Sequence, residues 1–412
     1  MKLKELTSKE FESFASKHPL VTFHQKESWG KLKKNNGWDY ELLGLYDDKN
    51  LKAATLLLNK KMPLGLKMFY APRGYLIDFN DKKLLKEFTE QLKNHVRAKN
   101  GIFIKIDPYV INKERDINGE IIEDGIDNTE VVNYLKSLGY KHHGFNIDTS
   151  KELQPRWMFV LDTKNKSEDD LMKLMIKQTR KNVKKTLKMG LVLETIGIEG
   201  LEEYKKITEH TGSRRGFIDR PISYYKNMFE ELGDKIKIVL CYLDTDKSIS
   251  LLQKEIDEIN SYSEITEARK KELSELESKI NDIKDIEKKH GKKVCLAGSM
   301  FIECEKELLN LYGGGYDEFM WLNAMYSIQW EAIKYAANNG FNLYNFYGIE
   351  GNFKKENNPM YGVYEFKKGF GGRVVELIGE FDLIVNKPKY LLYKVCFSSY
   401  KKIKNIFNKL KK

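Results

Sequence analysis

The stretch VYEFKKGFGGRVVELIGEFD, Val363 to Asp382, sets two lysines immediately before a glycine-rich turn. Lysine beside glycine suggests phosphate binding, but a P-loop needs its glycines first, a Ser or Thr after the lysine, and then a helix. Here the glycines follow Lys367 and Lys368, and the run from Arg373 to Ile378 is β-branched and strand-like. It is not a P-loop, and the lysines must serve other chemistry. A second basic group lies in KLMIKQTRKNVKKTLKMG, where seven Lys or Arg stand between Lys173 and Lys188 without one acid. Lys177, Lys181, Lys184 and Lys188 recur at helical spacing and form a stripe, with Lys185 beside it. Solvated faces usually mix their signs, and a one-signed stripe repels itself unless a polyanion neutralises it, so phosphate contact is expected. The tail YKVCFSSYKKIKNIFNKLKK interleaves apolar residues with lysines. It suits an amphipathic helix on anionic headgroups, or one that closes over the first domain.

Composition narrows the classes. A chain of 412 residues has room for two or three domains, and 41% hydrophobic with 12% aromatic residues describes a folded protein. The formal charge of +11 favours nucleic acid, anionic lipid or phosphorylated substrates. Cys241, Cys295, Cys304 and Cys396 are far apart and form no CxxC pair. Neither a disulfide framework nor a metal site is expected, and a reducing cytosol is the natural compartment. The start, MKLKELTSKEFESF, lacks the apolar core of a signal peptide, and no apolar run is long enough for a bilayer span. Membrane contact is therefore expected to be peripheral, at the inner face.

The elements that must position these residues follow an order that repeats. Thr7 and Glu10 form a capping box that opens a helix. Then come the strand pair YELLGLY and LKAATLLL, the segment KMFYAPRGYLIDF, a helix from about Lys82 to Lys99, and the strand GIFIKIDPYV. In the second half a helix from Leu201 to Thr211 precedes GSRRGFIDRPISYY. The strands KIKIVLCYL and KVCLAGSMFIE, the segment ELLNLYGGGYDEF, the helix WLNAMYSIQWEAIKYAANNG and the strand FNLYNFYG then repeat the first half's order. Two copies of one α+β fold are expected, each with a cleft near its YAPRG or YGGGY turn. The boundaries read as 1–148 for the first domain, 149–246 with 292–386 for the second, and 387–412 for a basic C-terminal helix.

Between the second half's first two strands, 247–291 is dense in charge, and 248–290 lacks Pro and Gly. Ile249, Leu252, Ile256 and Ile259 keep a 3-4-3 spacing, as do Leu273, Leu276, Ile280 and Ile283. The phase breaks at NSYSEIT. An antiparallel coiled-coil hairpin is expected, each helix about 25 Å long at ~1.5 Å rise per residue. It is either an arm for a large partner or a self-contained hairpin with solvated charges.

Taken in order, FHQKESWGKLKKNNGW, FYAPRGYLIDF, FIKIDPYV, QPRWMFVLD, RRGFIDRPISYYKNM, QWEAIKYA, NFYGIEG and YEFKKGFGG…IGEFD make the chain resemble the Fem-type aminoacyltransferases, the FemA, FemB, FemX and MurM group. The resemblance runs nearly end to end. It implies tandem GCN5-related acetyltransferase-like domains, an arm similar to that of seryl-tRNA synthetase, and transfer of an amino acid from aminoacyl-tRNA to a peptidoglycan stem peptide. No cofactor is implied; aminoacyl-tRNA is the co-substrate. The acceptor would be lipid II or UDP-MurNAc-pentapeptide, with lipid II preferred, and Gly favoured over Ala or Ser. A homo-oligomer or an assembly with related transferases is the remaining partner expectation.

Such a reaction needs a proton route for an amine and a stabiliser for the tetrahedral oxyanion. By resemblance, Lys367 supplies a positive charge at the oxyanion or holds the tRNA terminus, and neighbouring Phe366 lines the substrate. The glycines after them would give a large substrate room. Asp107, closing IKID, would orient or deprotonate the amine, although Asp before Pro is often only a strand-end turn. Lys33 or Lys34 resembles the family's phosphate-contacting lysine. Arg220 and Tyr224 look like the family's cleft Arg and Tyr, and Arg73 is assigned to substrate binding with them. Lys177, Lys181, Lys184, Lys185 and Lys188 are assigned to tRNA. Two rivals remain. An acyl-CoA N-acyltransferase would need a Gln/Arg-x-x-Gly-x-Gly/Ala turn at a strand-to-helix junction, which neither half contains. A non-enzymatic membrane-surface adaptor would leave Lys367, Asp107 and the RPISYY segment without a purpose.

Overall fold

The computed structural model describes residues 1–356 and 358–396, and its chain divides into two compact units. Among the described residues the first unit comprises 1–158, 348–361 and 374–396; the second comprises 159–347 and 362–373. The first unit opens with β1 (Lys2–Glu5), α1 (Ser8–Ala15), α2 (Glu27–Lys34), β2 (Asp39–Asp47) and β3 (Asn50–Lys61). It continues with β4 (Lys67–Ala71), α3 (Lys82–Ala98), β5 (Gly101–Ile106), β6 (Ile111–Glu114), α4 (Thr129–Ser137) and β7 (Tyr140–His142). The second unit follows with β8 (Trp157–Asp162), α5 (Glu168–Leu174), α6 (Lys177–Lys188), β9 (Val192–Ile196), α7 (Leu201–Arg215) and α8 (Ile222–Leu232). Then come β10 (Ile236–Asp244), α9 (Thr245–Asn260), α10 (Glu267–His290), β11 (Lys293–Cys304) and β12 (Glu307–Gly315). The chain finishes with α11 (Ala324–Asn338), β13 (Leu343–Gly348), α12 (Tyr361–Lys368), β14 (Arg373–Leu377) and β15 (Phe381–Ile384).

Local chemistry sets several of these boundaries. Thr7 accepts from the Glu10 N–H while the Glu10 carboxylate takes the Thr7 N–H, which satisfies two donors that the first turn of α1 would otherwise leave open. Ser167 and Asp170 do the same for α5. Helix α3 is capped by Asp81 and buries Leu84, Leu85, Phe88, Leu92 and Val96, a single apolar stripe. Strand β3 is buried on both faces from Ala53 to Leu58, as expected between two neighbours under a layer of helices.

The first unit's sheet runs β1-β2-β3-β4-β5-β15-β7. Its core gathers Leu57, Phe69, Phe88, Ile104, Val132 and Phe381, among others. The second unit's sheet runs β8-β13-β12-β11-β10-β9. Each contains an antiparallel pair, a third antiparallel strand, then a helix leading to a parallel strand: β2, β3, β4, α3, β5 in one, and β10, β11, β12, α11, β13 in the other. The repeat read from element order is thus present in the strand pairing. The boundaries differ from those expected. Residues 149–158, 348–361 and 374–386, assigned to the second domain by sequence, belong to the first unit, where β15 pairs with both β5 and β7.

Helices α9 and α10 pack together between β10 and β11, burying Leu252, Ile256, Ile259 and, across from them, Leu276, Ile280, Ile283 and Ile286. The chain is helical again over 387–396, where Tyr390 packs on Phe103 and donates its hydroxyl to Asp382 at 2.7 Å. That part of the tail closes over the first unit; the rest of the expected basic helix, 397–412, lies outside the described residues. Among the described residues no helix is long and apolar enough to cross a membrane.

Candidate active site

In both units the chemically interesting residues lie just past the end of the parallel strand pair. The β4–β5 ladder ends at Ala71↔Ile106. Immediately beyond it the Arg73 N–H donates to Asp107 Oδ1 at 2.8 Å, with Arg73 held at a φ of 54°. The Arg73 guanidinium stands 3.8 Å from Asp107 Oδ2, too long for a hydrogen bond, and donates instead to the Pro155 carbonyl at 2.8 Å. Both side chains are only 2% exposed. Burial raises the Asp107 carboxyl to about 7, although Arg73 pulls the other way. Glu152, in the same crevice with Arg156 and Glu380, is likewise raised to about 7 by burial and the Glu380 charge. Arg73 is therefore fastened into the protein, and a bound phosphate would have to displace existing partners.

Lys33 and Lys34 are separated by the turn of α2. Lys33 is half-buried with its ammonium 4.2 Å from the centre of the Trp29 ring, whereas Lys34 is exposed. Lys33 and Arg73 both act on His24, whose pKa falls well below the usual value, chiefly through burial and then through these two cations. His24 carried no signal in the sequence beyond its place in FHQKESWG.

The second unit's parallel ladder, β12–β13, ends at Leu309↔Asn345. Past that rung lie Tyr312 on one strand and Tyr347 on the other. Tyr347 has a φ of 66°, a left-handed conformation costly for a residue with a Cβ. Asn345 Oδ1 holds it there by accepting the Tyr347 N–H at 2.7 Å, while Asn345 Nδ2 donates to Glu307 at 2.7 Å. The Tyr347 carbonyl then receives Lys367 Nζ at 3.3 Å. Lys367 stands in the last turn of α12. Protein surrounds its ammonium, and that burial lowers its pKa to about 7. The residue as a whole is half-buried. Phe366 packs on Tyr326 and Phe370, with ring centres 4.9 and 5.4 Å away; it supports the turn.

Asp219 anchors the loop ahead of α8 by accepting from Lys205, Thr208 and Tyr225, leaving the next residue, Arg220, exposed. The Arg220 guanidinium lies over the Tyr224 ring at 4.8 Å, and the Tyr312 hydroxyl neighbours both. Burial pushes the Tyr224 phenol well above its ordinary value, so it is a neutral donor at physiological pH. The structure thus unites Arg220 and Tyr224 and adds Tyr312 and Tyr347, which sequence reasoning missed. Their signal was the parallel strand pair itself, because side chains past its last rung line the opening.

One expectation fails. The glycines after Lys367 do not make room for a substrate. Gly372, at φ 108°, lies so close to the Val160 carbonyl that a Cβ would stand 2.1 Å from it, and at Gly371 a Cβ would meet Leu174. Backbone packing in the second unit accounts for both glycines. The lysine stripe is also less uniform than its sequence. Lys177, Lys181 and Lys184 are exposed, Lys185 is half-buried, and Lys188 pairs with Glu255 of α9 at 3.2 Å.

A family model described as the FemAB family matches residues 6–397. The chain belongs to the FemAB family. FemAB relatives of similar length include aminoacyltransferase FemA of Staphylococcus epidermidis, 32% identical over 96% of this chain and 98% of that protein. Aminoacyltransferase FemB of the same species is 31% identical over the full length of both. A crystal structure of FemX superposes with a TM-score of 0.79 at 28% identity, covering 95% of this chain and 99% of that one. The FemAB assignment therefore spans both units.

Proposed function

We propose that the protein is a FemAB-type aminoacyltransferase that moves an amino acid, glycine foremost, from aminoacyl-tRNA to the stem-peptide amine of a peptidoglycan precursor, lipid II foremost. The observation that carries the reading is Lys367, a half-buried residue whose enclosed ammonium meets the Tyr347 carbonyl, in a chain matched end to end by aminoacyltransferases FemA and FemB. Transfer forms an amide N–C bond and breaks the ester C–O bond, with the amine proton ending on the released ribose oxygen. The oxyanion formed on attack needs a positive charge or donor, which protonated Lys367 supplies. The amine must lose a proton, and Asp107 has a pKa near that task. Exposed Arg220, backed by Tyr224 and Tyr312, suits a pyrophosphate, since a guanidinium can bind two oxygens at once. In the same reading each unit is an acetyltransferase-type fold, α9 and α10 form a coiled-coil arm that grips tRNA with α6, and the enzyme works at the inner membrane surface.

The test is direct. The protein is incubated with tRNAs charged with Gly, Ala or Ser and with either lipid II or UDP-MurNAc-pentapeptide, and the precursor is weighed by mass spectrometry. A mass gain of one or more residues that depends on the charged tRNA supports the reading, and the increment names the amino acid. No gain with any combination, by protein that is folded, refutes it.

A further inference from the structure

A cavity of the second unit is lined by neither Lys367 nor Arg220 nor Tyr224. It measures about 640 Å3 and lies between the sheet strands β9 to β12 and helices α6, α9 and α11. Leu187, Leu193, Val239, Leu251, Phe301 and Ile328 make its walls apolar. Small-molecule sites are typically about 300–1,000 Å3, mainly apolar, with a few placed polar groups, and this cavity fits that description.

The charges around it are more telling. Three charged residues reach the cavity: Lys237, Lys247 and Glu331. Glu331 is matched by Lys334 at 2.6 Å, and Lys237 by Glu303 at 3.4 Å. Among the described residues no carboxylate forms an ion pair with the Lys247 ammonium; Asp244 accepts only its backbone N–H, at 3.0 Å. The cavity therefore carries one surplus positive charge. That charge sits at its mouth, where Leu187, Thr195 and Lys247 are exposed beside β9, the last strand of the sheet. The same α6 that supplies Leu187 also presents Lys181 and Lys184 to solvent, which raises the local concentration of anions.

An apolar chamber with a single unmatched cation at its entrance is the complement of a single-chain amphiphile with an anionic head. We propose that this cavity binds a long-chain fatty acid or similar alkyl carboxylate. The chain lies among Leu193, Val239, Phe301 and Ile328, and the carboxylate meets Lys247. This site is independent of the transfer reaction and stands or falls without it.

The test uses the full chain and a dansyl-labelled undecanoic acid, displaced by oleate below its micelle concentration, with oleyl alcohol as the uncharged control. Saturable one-to-one displacement by oleate is expected. Lys247→Gln should weaken oleate about two- to fivefold, the loss of one exposed ion pair, and leave oleyl alcohol unchanged. Val239→Trp should fill the chamber and abolish binding of both. If that variant proves unfolded by circular dichroism, Leu193→Phe on the edge strand takes its place. No saturable displacement, or displacement indifferent to the filling variant, overturns the proposal. So does binding to phosphatidylglycerol vesicles without binding of oleate, which would make the surplus charge part of a membrane face.

Discussion

Lys367 and Asp107 have opposite starting charges, yet both are moved to about 7 by the same force, burial of the ionised form. Their proposed roles then predict the shape of the pH–rate profile. Lys367 must be protonated to face an oxyanion, so activity falls above pH 7. Asp107 must be ionised to accept a proton, so activity falls below it. A narrow bell in kcat/KM centred near 7 is expected, and Asp107→Asn should remove the acid limb. A flat profile from pH 6 to 8 under saturating tRNA contradicts both assignments. Lys367→Met should cost about 10²-fold in kcat, or ~3 kcal/mol, if it acts as one oxyanion donor. Near-normal turnover by a folded variant would remove Lys367 from the mechanism.

The element that most needs a purpose is the α9–α10 hairpin. Its base is tied down: Ser248 donates to the Met189 carbonyl at 2.7 Å, and Lys292 pairs with Asp246 at 2.8 Å. Deleting the whole hairpin would therefore disturb α6 and the cavity it covers. Replacing only 257–277 by a short turn spares those bonds. The shortened protein should keep its cooperative melt while its affinity for charged tRNA drops, measured by filter binding. Unchanged affinity would make the hairpin self-contained or a docking point for another protein. On α6, Lys177, Lys181 and Lys184 are the exposed members of the stripe. Changing all three to Gln should flatten the log–log salt dependence of tRNA binding by about 0.7–0.9 for each phosphate no longer neutralised. If the slope stays put, the stripe is a solvated face.

For the protein as a whole, the shifted groups leave a mark on stability. Asp107 and Glu152 have folded pKa values raised to about 7, so the native state holds more protons than the unfolded chain between roughly pH 4 and 7, and stability falls as pH rises through that window. Lys367, lowered to about 7, has the reverse effect: the unfolded chain holds the extra proton between about pH 7 and 10.5, and stability rises there. Taken alone these three groups give a trough near neutrality; His18, His24 and His142, all lowered by burial, raise stability with pH up to about 6.5 and oppose its acid side. Thermal melts of Asp107→Asn against the parent should show a difference that grows in the variant's favour from pH 4 to 7, at about 2–4 °C per kcal/mol for domains of this size. A difference constant with pH would mean Asp107 titrates normally.

The features legible in the order of residues are local or repeated. Capping boxes at Thr7 and Ser167 close within one turn, the buried stripes of α3, α9 and α10 follow helical period, and the strand–strand–helix–strand order recurs in both halves. The ordered motifs were enough for the family. The remaining features depend on long-range pairing and enclosure. Nothing in FDLI says that β15 inserts between β5 and β7, because a short apolar strand pairs equally well with many edges. Likewise the stripe's acid-free stretch gave no hint of Glu255, which lies 67 positions beyond Lys188 in the chain yet pairs with it at 3.2 Å. Lys33 and Lys34 are adjacent letters, separated only because Lys33 stands one helical turn from Trp29 on the same face of α2. A lysine becomes a group titrating near 7 only when the fold strips water from it, and that enclosure is a property of the packed chain rather than of any stretch of it.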